Sequence, residues 1–260
     1  MKPLNLEEIH KSFNTQAPCF ESEKFHLSRQ EYPNYIVEKT APQKTDTVLE
    51  AAAGTGVCGR SFSPYVRHIT CLDATSAMLE IGKKECEKEG IGNITFIKGY
   101  AEDLPFLDKS FDIVISRLAF HHFTDADGIF KEMERVLKPN GKLVLVDMIS
   151  DDETLRNEVD RIEKIRDFSH VRNLSLSEMH NLYTKNNLTL EFQEQTDIPV
   201  SLEAWMELTE TPKESREEIR NLMSADLDKK YITGFFPYLK DNDIYFKQHW
   251  ILNIGKKQKN

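Results

Sequence analysis

The sequence predicts a doubly wound α/β protein with a mostly parallel sheet. Four short apolar runs lack polar alternation, which is typical of strands buried on both faces. These runs are 47–51, 69–72, 111–115 and 143–146. Helical patterns lie between them, and 260 residues with 39% hydrophobic content suffice for one large domain. Strand and helix therefore alternate from about 47 to 147, as in a parallel sheet with helices on both faces.

The elements between these strands have recognisable ends. Residues 94–97 form a weaker fifth strand. One helix is expected to begin with Ser76 as its cap and to stop at Gly90. A second helix is indicated by apolar residues at helical spacing and ends in a turn at 139–141. Its apolar positions are Ile129, Phe130, Met133, Val136 and Leu137.

The second half of the chain has a different pattern. Helices are predicted at 152–167 and 176–186, the latter opened by a capping box of Ser175 and Glu178. Two segments with alternating apolar residues, 188–192 and 244–254, are predicted to be strands at one edge, which brings the sheet to seven strands. The sequence between them, roughly 200–232, is predicted to be a helical insertion before the last strand, with a helix start at Thr211 and Pro212.

We therefore expect a single domain over 1–260. It divides into an N-terminal helical segment (1–46), a cofactor-binding core (47–150) and a C-terminal half (151–260). The C-terminal half carries a helical cap at about 200–238. Aromatic residues there, Trp205 and Phe235 among them, are candidates for an acceptor pocket or its lid, with ordinary packing as the alternative.

Charge and composition limit the kinds of partner that the protein is expected to have. Lys and Arg total 34 and Asp and Glu total 43, giving a net charge of -9, which disfavours nucleic acid as a partner. With 30% charged residues, no membrane insertion is expected. The first residues lack the apolar region of a secretory signal, which predicts a cytoplasmic protein. The sequence leaves a homodimer open.

The four cysteines do not indicate a metal site. Cys19, Cys58, Cys71 and Cys86 have neither a C-x-x-C pair nor a metal-type histidine spacing. We expect reduced thiols and no metal.

A glycine-rich turn follows the first strand. Gly54, Gly56 and Gly59 spell G-x-G-x-x-G, which lets a backbone approach a ligand closely. Asp73 follows Gly54 by 19 residues, the spacing at which a carboxylate can accept hydrogen bonds from both hydroxyls of a ribose. Together they indicate an adenosine-type cofactor.

Glu50 helps to decide between two such cofactors. A dinucleotide would place its pyrophosphate here, where a carboxylate repels it. S-adenosylmethionine instead offers a cationic amino group that a carboxylate can hold. The alternative role for Glu50 is to pair with a lysine or to cap the helix.

Segments of the chain resemble, in order, the motifs of class I S-adenosylmethionine-dependent methyltransferases. VLEAAAGTG resembles the first motif, CLDATSAMLEIGKK the second, GYAEDLPFLDKSFDIVISRLAFHHF the third and fourth, and MERVLKPNGKLVLVD the fifth. The chain is most similar to the branch named for ubiquinone and menaquinone biosynthesis, especially its small bacterial members without an assigned substrate. FNTQAPCF and RDFSHVR extend the likeness. The resemblance implies a Rossmann-like fold, S-adenosyl-L-methionine as cofactor and methyl transfer.

Three positions depart from the family pattern. Ala52 stands where the family usually has its first glycine, so the loop is expected slightly further from the ligand. Glu50 replaces the commoner Asp and keeps its charge. Tyr100 occupies a position where many relatives carry an adenine-binding Asp, although Ala101 and Glu102 match another frequent form.

The resemblance also implies roles for individual residues. Glu50 would hold the methionine amino group, Asp73 the ribose, and Ala74 and Met78 the adenine. The full set of implied cofactor-binding residues is Glu50, Ala52, Gly54, Gly56, Asp73, Ala74, Met78, Ala101, Glu102, Ser116 and Arg117. Met78 can equally be a core residue, and Arg117 a surface residue.

Further side chains have both a chemical and a structural interpretation. His121 is the candidate catalytic residue because imidazole titrates near neutrality, yet His121 and His122 can also form a structural turn that shapes the pocket. Cys58 near a helix start is either reactive or packed. The basic residues of 161–172 either bind an anionic substrate or form a solvated helix end.

The sequence therefore predicts methyl transfer to a small-molecule acceptor through oxygen, nitrogen, carbon or sulfur. The alternatives are an NAD-dependent oxidoreductase, which fits the bare glycine pattern, and a non-catalytic cofactor-binding protein.

Overall fold

The computed structural model describes residues 2–22, 29–150 and 152–259. Parts of the expected N-terminal helical segment, residues 1 and 23–28, lie outside the described residues. Within the described residues no helix is long and apolar enough to cross a membrane.

Five parallel strands form the core of the sheet. They are β1 (Thr47–Ala51), β2 (His68–Asp73), β3 (Ile94–Lys98), β4 (Phe111–Arg117) and β5 (Leu137–Ser150), in the spatial order β3-β2-β1-β4-β5. Successive residues of a strand pack into two separate apolar cores: Val48 lies in one cluster and Leu49 in the other. Both faces of the sheet are therefore covered, which explains why these strands lack polar alternation.

Helices α3 (Val57–Phe62), α4 (Ser76–Glu89) and α5 (Ala126–Val136) connect these strands. Gly90 ends α4 with φ 68, as predicted. Ser76 does not cap α4; it is the first helical residue, and Asp73 accepts a hydrogen bond from the Thr75 backbone nitrogen instead (2.7 Å). Leu137 likewise begins β5 and does not end α5. It pairs with Phe111, and residues 138–141, which include the predicted turn at 139–141, then bulge opposite a single residue, Asp112.

The C-terminal half completes the sheet with antiparallel strands. Its elements are α6 (Arg156–Arg166), β6 (Leu174–Ser175), α7 (Leu176–Lys185), β7 (Leu188–Ser201), α8 (Leu202–Leu208), α9 (Lys213–Leu227), β8 (Tyr238–Lys240) and β9 (Asp243–Lys257). The predicted capping box of Ser175 and Glu178 is present. β9 pairs antiparallel with β5 and β7, so the main path is β3-β2-β1-β4-β5-β9-β7. This confirms the predicted seven-stranded α/β sheet with a helical insertion before the last strand; β6 and β8 are short additions.

In the described part of the chain, two α-helices precede β1. α1 (Leu6–Gln16) contacts α4, and α2 (Glu31–Thr40) packs against α3. His10 of α1 approaches the carbonyl of Ala74, which follows β2, with Nε2 at 3.1 Å. Asn5 donates to the carbonyl of His122, beyond β4 (3.0 Å). α1 therefore lies across the carboxyl ends of the parallel strands.

Candidate functional site

A cavity lies at the carboxyl ends of the parallel strands, beneath α1. It encloses about 1210 Å³ of empty space, counting the part open to solvent. β1 and β4 are neighbours in the sheet, so the strand order reverses here, which is where open α/β sheets bind ligands.

Glu50 lies near the end of β1 and lines this cavity. Its side chain is buried, and Oε2 accepts a hydrogen bond from the backbone nitrogen of Gly59 at 2.7 Å, in the first turns of α3. Burial raises the pKa of Glu50 to about 7, although the Gly59 N–H and the charge of Arg117 act in the opposite direction. Glu50 therefore caps a helix and also presents a carboxylate to the cavity, so the two roles weighed for it coexist.

Asp73 at the end of β2 fixes the glycine-rich turn. Its Oδ2 accepts from the Gly54 nitrogen (2.8 Å) and its Oδ1 from the Thr75 nitrogen (2.7 Å). Burial raises the pKa of Asp73, while these two N–H groups lower it. Asp73 and Gly54 both line the cavity. Each carboxylate oxygen keeps a second lone pair with which to accept a hydroxyl.

Ala52 keeps the backbone shape of the glycine that the family usually has. Its φ is 53, in the left-handed region that glycine adopts without strain. Gly54 follows with φ 57, and a Cβ there would meet nothing closer than the Phe20 ring, at 3.8 Å. The turn therefore leaves space beside its backbone for a ligand, despite the alanine.

The turns after β2 and β3 also line the cavity. Ala74, Tyr100, Ala101 and Glu102 all line the cavity. Burial raises the pKa of Glu102. The predicted adenine-side residues are thus brought together around one surface, with the tyrosine ring among them.

Three of the residues implied by resemblance do not line the cavity. Met78 is fully buried on the inner face of α4, where its side chain packs in the core. Ser116 is fully buried within β4. Gly56 shapes the turn with φ 74, and a Cβ there would meet Phe96 at 3.0 Å and Cys71 Sγ at 3.2 Å. Ligand contact by Met78 and Ser116 is therefore not supported.

Arg117 at the end of β4 does line the cavity. Its guanidinium lies over the ring of Trp250, 5.6 Å from the centroid. Burial lowers the pKa of Arg117. The side chain is thus a half-buried cation at the wall of the cavity.

The far end of the cavity contains the two histidines. Nδ1 of His121 lies 2.6 Å from Oδ1 of Asp147 in β5, and both side chains are buried. Burial alone would lower the pKa of His121, but the Asp147 carboxylate raises it above the ordinary value. Asp147 is held in turn by the backbone nitrogens of Phe120 (2.6 Å) and Met148 (2.7 Å).

His122 has the opposite electrostatic environment. Its Nδ1 lies 3.1 Å from Oγ of Ser169, and Phe13 of α1 packs edge-on against its ring at 5.0 Å. Burial and the neighbouring His121 lower the pKa of His122 to about 3. The pKa values of the two adjacent histidines are therefore shifted in opposite directions, and His122 stays neutral at physiological pH.

Asp167 ties α1 to the segment after α6. Its Oδ1 accepts from Oγ of Ser12 (2.8 Å) and from the nitrogen and hydroxyl of Ser169, and its Oδ2 accepts from Nε2 of Gln16 (3.0 Å). Asp167 and Gln16 line the cavity. This buried network fixes the helix that covers the site.

Of the two interpretations of the basic residues of 161–172, the solvated helix end is wrong for Arg166 and His170. Arg166 is buried, donates through Nε to Glu163 (3.1 Å), stacks on Trp205 at 4.6 Å and lines the cavity. His170 is buried and lies 2.8 Å from Asp160. Glu163 pairs with the Arg166 guanidinium and Asp160 with the His170 ring, so both side chains have a polar partner in the interior.

The helical insertion contributes less to the cavity than its aromatic content suggests. Trp205 and Leu208 of α8 line it. Phe235 packs edge-on against Trp205 (5.4 Å) and Phe246 (5.0 Å) in the core, and Phe236 is 61% exposed. Core packing accounts for most of these side chains.

The cysteines of this region are packed thiols. Cys58 lines the cavity, but burial raises the pKa of its thiol well above the ordinary value, and the charge of Glu50 raises it further. A reactive thiolate is therefore excluded at Cys58.

Sequence reasoning missed several lining residues: Phe13, Gln16, Met148, Asp167, Leu208 and Gln248. Long-range packing of α1, α6, α8 and β9 brings them to the cavity. The signal available for them was the likeness of FNTQAPCF and RDFSHVR to the family, which touches Phe13, Gln16 and Asp167.

Comparison with known proteins identifies the family. The methyltransferase domain model matches residues 49–145, and the model of the anamorsin N-terminal domain matches 103–209. The uncharacterized methyltransferase YcgJ of Bacillus subtilis is 34% identical over 209 residues, 80% of this chain and 82% of YcgJ. The ubiquinone/menaquinone biosynthesis C-methyltransferase UbiE of Haemophilus ducreyi is 34% identical over 45% of this chain and 46% of UbiE.

Solved structures of similar proteins agree with this family match. The crystal structure of YcgJ superimposes with a TM-score of 0.82, at 31% identity, over 89% of this chain and 100% of YcgJ. A Haemonchus contortus phosphoethanolamine N-methyltransferase in complex with S-adenosylhomocysteine has the same fold (TM-score 0.64, 19% identity, 97% of this chain and 59% of that chain). The chain therefore belongs to the class I methyltransferase family, in the small bacterial branch that includes YcgJ, and is a methyltransferase.

Proposed function

We propose that the protein transfers the methyl group of S-adenosylmethionine to a small molecule held in the same cavity. The observation that carries this proposal is the placement of two carboxylates, the buried Glu50 and the half-buried Asp73, in one cavity with His121, whose ring is paired with Asp147. S-adenosylmethionine supplies a methyl group that is already activated on a sulfonium sulfur.

The residues present fit this donor. Glu50 would hold the ammonium group, and Asp73 would accept the ribose hydroxyls with the lone pairs that Gly54 and Thr75 leave. Ala74, Tyr100, Ala101 and Glu102 would receive the adenine. The same carboxylates would repel the pyrophosphate of a dinucleotide. The S-adenosylhomocysteine in the Haemonchus contortus neighbour supports the choice.

The chain itself contributes positioning and exclusion of water. α1 lines the cavity with Ile9, Phe13 and Gln16, and α8 lines it with Trp205 and Leu208. Alignment of two reactants in such a site accelerates methyl transfer without further chemistry from the protein. Because α1 and α8 both line the cavity, a small molecule is favoured as acceptor over a macromolecule.

A label-transfer experiment tests the proposal. The protein is incubated with [methyl-³H]S-adenosylmethionine and an extract of Bacillus subtilis, which is then separated into small-molecule, protein and nucleic-acid fractions. We expect label in the small-molecule fraction, lost in an Asp73→Asn variant that remains folded. Label confined to the macromolecular fractions would contradict a small-molecule acceptor.

A further inference from the structure

A second pocket shares two lining residues, Met148 and Gln248, with the cavity described above. We call it the α6 pocket, because Val159 and Glu163 of α6 line it. Asn173, just before β6, and residues 234–236, between α9 and β8, line it as well. The residues proposed to hold S-adenosylmethionine do not line this pocket, so it is a separate space.

The segment between α9 and β8 is held close to α6. Gly234 has φ 84, and a Cβ there would lie 2.6 Å from Cγ2 of Val159, so this approach requires glycine. Asp226 accepts hydrogen bonds from the nitrogen and the hydroxyl of Thr233, and the Phe235 nitrogen donates to the same hydroxyl oxygen at 3.1 Å. The protein's own contacts therefore hold this wall of the α6 pocket in place.

Asn173 contributes an acceptor without a partner to the α6 pocket. The residue is 3% exposed, and its Oδ1 forms no hydrogen bond within the described part of the chain. Its backbone nitrogen is used, since it donates to Oδ1 of Asp160 at 2.8 Å. A buried oxygen without a donor destabilises the folded protein, because folding removes the water that would bond to it. A ligand with an N–H group would supply the missing donor.

The carboxylate of Glu163 is the second acceptor, and its side chain is buried. Its Oε2 accepts from Nε of Arg166 at 3.1 Å, while Oε1 forms no hydrogen bond with any residue that the structure describes. The two members of this ion pair line different spaces: Glu163 lines the α6 pocket and Arg166 lines the first cavity. The pair therefore presents its negative end to the α6 pocket.

The other charged groups of the α6 pocket do not oppose a cation. Lys247 and His249 both pair with Asp197, each at 2.8 Å. Asp152 adds an exposed carboxylate. The side chains around the pocket thus leave acceptor oxygens for a ligand and have their positive charges paired.

The walls of the α6 pocket are aromatic and aliphatic. Phe235 and Phe246 line it, with ring centroids 5.0 Å apart and planes at 87°. Leu155 and Val159 line it as well. Aromatic faces attract an organic cation, and the aliphatic side chains can bury its hydrocarbon part.

We propose that the α6 pocket binds a protonated amine that carries an apolar group. The ammonium donates to Oδ1 of Asn173 and to Oε1 of Glu163, and the apolar group packs against the phenylalanine rings. A carboxylate binds an ammonium more strongly than a hydroxyl of the same size, because both partners are charged. The proposal does not rest on methyl transfer in the first cavity.

Calorimetry with two molecules of nearly equal shape tests the ligand class. 2-Phenylethylammonium and 2-phenylethanol have the same ring and chain and differ in the charged donor group. At pH 7.5 we expect saturable binding of the ammonium compound, at least about tenfold tighter than the alcohol, on the scale of hydrogen bonds to charged groups. Equal affinities, or no binding of the ammonium compound, would overturn the proposal.

Methyl resonances locate the bound amine, which is necessary because the first cavity has carboxylates of its own. In protein with ¹³C-labelled leucine and valine methyl groups, the phenyl ring of the probe should shift the signals of Leu155 and Val159 most strongly. Leu72 and Leu208 line the first cavity and not the α6 pocket, so they are the internal controls. Shifts confined to Leu72 and Leu208 would place the amine in the first cavity and refute the α6 pocket as its site.

Two variants test the acceptors. Asn173→Leu removes the unpartnered oxygen, and Glu163→Gln removes the charge but keeps an acceptor for Arg166. Each should weaken binding of 2-phenylethylammonium by about tenfold, whereas Asn181→Leu, on the exposed side of α7, is the matched control and should leave it unchanged. Unchanged affinity in both variants, with circular dichroism showing that they are folded, would contradict the proposal. The comparison of the two probes uses the wild type alone, so it decides the question even where a variant does not fold.

Discussion

The Oε2 atom of Glu50 lies 2.7 Å from the backbone nitrogen of Gly59, inside the protein and at the edge of the cavity. Burial raises the pKa of this carboxyl group to about 7, although the Gly59 N–H and Arg117 work in the opposite direction. The free protein therefore carries a carboxylate that is half-ionised near neutrality. A buried charge of this kind lowers the stability of the folded protein, and a cationic ligand beside it reduces that cost.

Glu50→Gln should stabilise the protein without ligand at pH 8. The folded pKa of about 7 lies above the ordinary glutamate value of 4.5, so between these values the folded state binds more protons and stability falls as pH rises. Glutamine removes this penalty and still accepts from Gly59. We expect a gain of about 1–3 kcal/mol in urea unfolding at pH 8, shrinking toward pH 4.5. Glu191→Gln, on an exposed side chain, is the control; a Glu50→Gln protein less stable than wild type at pH 8 would refute the buried-charge account.

Affinity for S-adenosylhomocysteine should depend on pH through the same group. Pairing with the ligand's ammonium requires ionised Glu50, so binding below pH 7 releases a proton. We expect the affinity to fall by up to about tenfold per pH unit from pH 7 to 5. Calorimetry in buffers of different ionisation enthalpy counts the proton. Glu50→Gln should bind more weakly at pH 8 and lose the dependence, and a wild-type affinity constant over this range would contradict the pairing.

Asp73→Asn should weaken cofactor binding by about 1.5–3 kcal/mol, the scale for hydrogen bonds to a charged group. Part of the loss comes from the turn, because Asn has one acceptor oxygen for the two backbone donors of Gly54 and Thr75. Equilibrium dialysis with labelled S-adenosylmethionine measures it, with Asp127→Asn on exposed α5 as control. Full affinity in a folded Asp73→Asn protein would mean that the ribose lies elsewhere.

Asp167→Asn should release α1 from the site. The amide would present a donor to Gln16, which already donates at 3.0 Å, and would lose one of the buried acceptors. We expect hydrogen exchange over residues 6–16 to increase about tenfold or more. Combining Asp167→Asn with Gln16→Glu restores a donor–acceptor pair and should recover most of the protection. Unchanged exchange in the single variant would show that the network does not hold α1.

The fold could be predicted because a strand that is buried on both faces has a recognisable sequence, in which apolar residues do not alternate with polar ones. Val48 and Leu49 face opposite layers, so their strand contains no polar alternation, and Asp73 is found because it ends such a run. Glu50 could be identified for the same reason. Leu137 was misassigned because an apolar residue at helical spacing also suits a buried strand.

The rest of the site depends on packing that no local pattern records. Helical spacing places Met78 on the inner face of α4 but does not say whether it reaches the cavity or the core. Asp167 and Trp205 reach the cavity through contacts with residues at least 39 positions away in the chain, namely Ser12 and Arg166. The Asp147 partner of His121 likewise appears only when β4 and β5 pair.

The central claim is that Glu50 and Asp73 make this cavity a site for S-adenosylmethionine. Titration calorimetry of the wild-type protein with S-adenosylhomocysteine, S-adenosylmethionine and NAD tests it most directly. We predict saturable binding of both sulfur compounds at one site per chain, weakened in Glu50→Gln and Asp73→Asn, and no comparable binding of NAD. Binding of NAD with similar affinity, or no response of the folded protein to either sulfur compound, would contradict the account.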